Sequence, residues 1–114
     1  MQLRSMIVCV SLLAPHVSFA QEADEVPICA ERSASEFIHV AVCDERLPDE
    51  VLAAEGQRIC GEKLPCGVWF WQVASDAPDV APDNHDGLTQ AELASSQGVW
   101  VGERSIFIRI EPVE

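Results

Sequence analysis

The chain has 114 residues, 48% hydrophobic and 23% charged, with 19 acids against 7 Lys and Arg for a formal charge of −12. That length suits one compact domain rather than two, and the apolar fraction is too high for a chain kept unfolded by its charge. The acid excess argues against a basic phosphate-binding face, and so against docking on nucleic acid or anionic lipid.

Residues 1–20 read as a secretory leader. Arg4 supplies the positive n-region, the run from Met6 to Ala14 a short apolar h-region, and Ser18-Phe19-Ala20 the small residues of a cleavage site. The expected cut follows Ala20. The apolar run is about half of the roughly 20 residues that a membrane-spanning helix needs, and Pro15 interrupts it. Cys9 lies inside this run, behind Met6-Ile7-Val8, and so lacks the small residues that precede a lipoprotein cysteine. No later segment has the length and apolarity to span a bilayer. The expectation is a soluble periplasmic or secreted protein, with residues 21–114 forming one exported domain. Cleavage removes Arg4 and no acid, leaving Arg32, Arg46, Arg58, Lys63, Arg104 and Arg109 as the Lys and Arg of the mature chain. A surface of one sign favours solubility and attracts a basic partner.

The leader takes Cys9 and leaves Cys29, Cys43, Cys60 and Cys66. An even count in a short exported chain implies two disulfides. The gaps of 13, 16 and 5 residues lack the paired short spacings of zinc sites, and there is no C-x-x-C for dithiol chemistry. Three pairings are open, and spacing does not choose among them. All four cysteines precede residue 67, so the C-terminal half must rest on packing.

In chain order, Gln21 to Pro27 is an acidic lead-in. Ser33 and Glu36 stand three apart as a capping box, which predicts a helix from there towards Leu47, although Phe37 to Cys43 is also strand-like in its β-branched content. Pro48 ends that segment, and Asp49 to Ile59 is the clearer helix, with Asp49 as cap and Gly61 as stop. Leu64-Pro65-Cys66-Gly67 is a turn. Val68 to Val73, almost wholly large and apolar, predicts a central strand. Ala74 to Gly87 carries Pro78, Pro82 and four aspartates, and reads as an exposed loop. Thr89 and Glu92 form a second capping box opening a short helix stopped at Gly98. Val99 to Val101 and Ile106 to Ile110 are two strands of a hairpin across residues 102–105. The sum is a small single α+β domain, with a short antiparallel sheet and two or three helices, stapled by two disulfides.

Three features could carry chemistry. The run Asp83-Asn84-His85-Asp86-Gly87 with Glu92 looks like the end of a calcium loop. Counting defeats it: with Asp86-Gly87 at positions 5 and 6, positions 1 and 12 fall on Pro82 and Leu93, which offer no side-chain oxygen. An irregular oxygen cage from Asp76, Asp79, Asp83 and Asp86 remains as the candidate metal set. Trp69 and Trp71 project from the same face of a strand and with Trp100 could form a platform for a partner, or else fill the core of so small a domain. His39 sits in an apolar run, where a lone histidine is more often a satisfied buried residue than a base. His85 lies among carboxylates that favour its charged form. No nucleophile elbow, phosphate cradle or distinct carboxylate pair accompanies them.

The expectation is a non-enzymatic, cofactor-free protein-binding module acting on a protein partner, a basic one being favoured by the acid excess, with Trp69, Trp71 and Trp100 as contact residues. An inhibitor, an accessory subunit or an envelope factor would each fit that description. The alternative is a cation- or small-ligand-binding protein that uses the acidic loop 76–86.

Overall fold

The computed structural model describes residues 28–111. The leader at 1–20, its cleavage site and the acidic lead-in at 21–27 lie outside them.

Period-two alternation decides the first half of the fold. Strand β1 runs Cys29–Ala34 and strand β2 Ile38–Cys43, where the sequence predicted a helix from Ser33. The β-branched Ile38 and Val40 point to one side of the sheet, and His39, Ala41 and Cys43 to the other. Ser33, the expected cap, and its neighbour Ser35 are used differently. The Ser35 hydroxyl donates to Pro82 O at 2.7 Å and accepts from the Ile38 amide at 3.1 Å, closing the β1–β2 turn, while Ser33 Oγ accepts from the Ala81 amide at 2.8 Å. Tertiary partners thus outbid the local cap.

Helix α1, Asp49–Cys60, forms as expected, but its N-cap is Pro48, with no side-chain cap bond. Asp49 instead takes the Arg109 guanidinium at 2.7 Å. The helix carries the chain across the sheet to strand β3, Gly67–Trp71, which lies parallel to β2. This corrects the expected all-antiparallel sheet: a strand–helix–strand unit of this length permits a parallel pair. The Thr89 box then opens helix α2, Gln90–Ser95, with both reciprocal bonds present, Glu92 N to Thr89 Oγ1 at 3.0 Å and Thr89 N to Glu92 Oε1 at 2.9 Å. Gly98 does not stop it. The helix ends at Ser95 and Gly98 lies within strand β4, Ser96–Val101, at φ 149°. There the pairing with β3 shifts register, a backbone setting that glycine adopts without strain. Strand β5, Ile106–Arg109, returns across the 102–105 turn as an antiparallel hairpin.

The result is a five-stranded mixed sheet in sequential order β1-β2-β3-β4-β5, with a core on each face. Under α1, Leu52 packs with Ala41, Val68, Phe70 and Trp100. On the other face Ile38, Val40, Trp69, Trp71 and Val99 meet Ala77, Ala81 and Leu88. The segment expected as an exposed loop is therefore partly a cover: Ala77 and Ala81 are buried while its aspartates stay outside. Both disulfides sit on the helix face. Cys29–Cys43 bridges facing residues of β1 and β2, and Cys60–Cys66 ties the end of α1 to the approach of β3. Among the described residues no helix is long and apolar enough to cross a membrane.

Candidate functional site

The three tryptophans do not form a common platform. Trp69 and Trp71 share one face, but Trp100 belongs to the core on the opposite side of the sheet, and all three are at most 6% exposed. Their indole groups point to an internal role. Trp71 Nε1–H donates to Glu92 O at 3.0 Å, and Trp69 Nε1–H to His85 Nδ1 at 2.9 Å. A buried indole needs such a partner, and here each bond pins part of the 72–95 segment onto the sheet. Trp69 and Trp71 are given over to these internal contacts, and Trp100 meets the surface only as one wall of a hollow beside α1.

The aspartates of the 76–86 loop are spread out along it. Asp79 lies 3.6 Å from Arg32, the Asp86 amide donates to Asn84 Oδ1, and all four side chains belong to exposed residues. Among the described residues no three His, Cys, Asp or Glu side chains converge as a cation would require. His39 is buried against Glu31, which accepts from its Nδ1, while its Nε2 is enclosed without a partner. It lines neither of the two hollows described below.

What the fold does assemble is one end of the sheet. The row Ile38–Gly67–Val101–Ile106 runs across β2 to β5. Onto this end converge the residues before β2, the disulfide loop 61–66, the turn at His85–Gly87 and the β4–β5 turn at Gly102–Arg104. Leu64 and Pro65 form a ridge between two hollows. The larger, about 380 Å³, is lined by Gln57, Glu62, Leu64, Trp100 and Ser105 among others. The smaller, about 190 Å³, has Phe37, Ile38, Pro65 and Gly67 as apolar walls and Asn84, His85 and Glu103 as polar ones.

A clasp holds this ridge in place. Gly102 N donates to Cys66 O at 2.8 Å, and Cys66 N donates to Glu103 Oε1 at 3.1 Å. The Cys66 amide, and next Glu103's own amide, hold the Glu103 carboxyl below the ordinary glutamate range. The carboxylate is therefore both ionised at neutral pH and fixed in place.

His85 is better placed than its sequence neighbours suggested. Its Nδ1 partner is the Trp69 indole rather than a carboxylate, and its ring meets Trp69 edge-on at 5.8 Å between centroids. The ring also lies so close to Gly67 that a Cβ there would stand 2.8 Å from Cε1. Since the indole proton occupies the Nδ1 lone pair, the ring proton sits on Nε2. Nε2 is thus a donor, and neither nitrogen offers a lone pair to abstract a proton.

Sequence reading missed Phe37, Leu64, Pro65 and Glu103. Phe37 is 39% and Leu64 61% exposed, and what sets them apart from other exposed apolar side chains is that they line the two hollows at this end of the sheet. The signal present in the sequence was Leu64-Pro65, an apolar pair in a turn; that this turn belongs to a disulfide loop emerged only with the Cys60–Cys66 pairing.

Fold and site together define a small α+β domain, with a mixed five-stranded sheet, two disulfides and a hollowed end. No family model, curated protein or solved structure matches this chain.

Proposed function

We propose that this is an extracytoplasmic protein-binding module whose contact surface is the hollowed end of the sheet, built on Phe37 and the Leu64-Pro65 ridge. The supporting observation is that ridge: exposed apolar side chains on a disulfide-closed loop, clasped to the β4–β5 turn through Cys66. Pre-organised apolar anchors beside satisfied polar groups are what protein recognition uses, because little ordering entropy opposes binding. Two disulfides and the secretory leader expected at 1–20 fit an oxidising compartment. The donor state of His85 supports binding over catalysis. The tryptophans take the role of scaffold in this reading, and the acidic exterior that of long-range attraction for a basic partner.

The test compares the mature protein with a Phe37→Ser, Leu64→Ser double variant, each isolated gently from its own extracytoplasmic fraction and weighed by native mass spectrometry. The wild type should retain a discrete partner that the variant loses, with melting temperatures within a few degrees of each other. A Val80→Ser control removes an apolar side chain that is 76% exposed but lies in the covering segment, and it should keep the partner. Equal retention by the double variant and the control would place the contact elsewhere.

A further inference from the structure

We propose that the smaller hollow receives a lysine or arginine side chain from the partner, its aliphatic stem between Phe37 and Pro65 and its cationic head on Glu103. This rests on the docking reading above and specifies the chemistry of the partner.

The argument starts from size. A hollow of about 190 Å³ is too small for a packed element of another protein and matches one long side chain. Its walls are Phe37, Ile38 and Pro65, which suit a methylene stem, and its acidic lining residue is Glu103. An apolar stem ending in a charge is the pattern of lysine and arginine. The Cys66 amide donates to Oε1 and fixes the group, and because each carboxylate oxygen accepts more than one bond, the group can still take a charge-assisted one. Immobilising the carboxylate in the free protein removes an ordering cost from binding. His85 completes the match, since its Nε2–H can donate to the backbone carbonyl of the inserted residue. That favours a peptide-borne cation over a free amine.

Competing ligands fit less well. A carboxylate would meet Glu103, and a metal ion would find one carboxylate and a histidine whose Nε2 carries a proton. Across the mature chain, 19 acids against the six Lys and Arg that remain after Arg4 is removed supply a field that steers a basic partner and weakens with salt.

The experiment is an amide NMR titration of the mature protein with three capped single residues: Nα-acetyl-lysine methylamide, its norleucine analogue, and its ε-acetylated form. The lysine probe should shift Phe37, Gly67, Asn84, His85 and Glu103 saturably, binding about tenfold more tightly than the uncharged probes, the worth of roughly one charge-assisted bond. Glu103→Gln keeps an oxygen for the Cys66 amide and should reduce lysine to the level of norleucine. Equal binding of lysine and norleucine by the wild type would overturn the cation assignment while leaving an apolar docking surface. Silence from every probe would overturn the side-chain pocket itself. The broader docking reading is decided separately, by the partner retention of the Phe37 and Leu64 variant.

Discussion

Glu55 shows how a single buried side chain can join a helix to a strand edge. Its Oε1 accepts from the Cys29 amide at 3.1 Å and from Arg58 Nη2 at 2.8 Å, and Arg58 Nη2 also donates to Cys29 O at 3.1 Å. Burial pushes this carboxyl upward, but the bonds from Arg58 and from Cys29, with the Arg58 charge, outweigh it and hold the group below its ordinary range. The unfolded chain, where glutamate titrates at about 4.3, therefore binds more protons across the intervening window. The contribution to stability is complete above that value and is lost as pH falls through the depressed folded one. Glu55→Gln should lower stability at pH 7 by about 1–3 kcal/mol, the usual cost of weakening a buried charged hydrogen-bond set. Urea midpoints taken between about pH 5 and pH 3 should fall less steeply in the variant than in the wild type. Equal slopes would assign the acid transition to other carboxylates.

At the level of elements, the decisive contact is between α1 and β4. A Cβ at Gly56 would overlap Cγ and Cβ of Trp100, so the helix approaches the sheet as closely as only glycine permits. Gly56→Ala gains about 1 kcal/mol of helix propensity but forces a buried indole to move, and overpacking of that kind costs about 1–3 kcal/mol. The expected result is a net loss of up to about 2 kcal/mol in urea unfolding, at a site where propensity alone predicts a gain. Other elements differed in how plainly they could be read. The Thr89 and Glu92 box needed only residues three apart, and it formed as expected. The Ser33 and Glu36 pair had the same spacing and failed, because Ser33 and Ser35 found partners at Ala81 and Pro82, nearly fifty residues away. Such partners leave no local trace. The Phe37 wall of the candidate site was hidden for the same reason: that segment was expected to be helical.

For the molecule as a whole, the disulfides divide the work between stability and site. Cys29–Cys43 closes a separation of 14 residues and Cys60–Cys66 one of 6. Loop-closure entropy makes the longer bridge the more stabilising by about 0.7 kcal/mol. Replacing Cys29 and Cys43 together with serine should therefore lower the urea midpoint more than replacing Cys60 and Cys66. The second pair should matter more for recognition, since its loop carries Leu64, Pro65 and the Cys66 clasp onto Glu103. A reversed order of midpoints would show that native packing around Cys60, not chain entropy, dominates that bridge.

Local properties of the chain were enough to establish its acidity, its four cysteines after the expected leader, the α1 and α2 segments, the central apolar strand and the β4–β5 hairpin. Each depends on residues within about two turns or one strand of each other, where spacing and propensity act directly. Which cysteines pair, which strands lie parallel, which face each tryptophan takes and where the hollows fall were decided by tertiary structure. Those outcomes depend on contacts such as Trp69 with His85 and Cys66 with Glu103, formed only when packing of both sheet faces brings distant segments together.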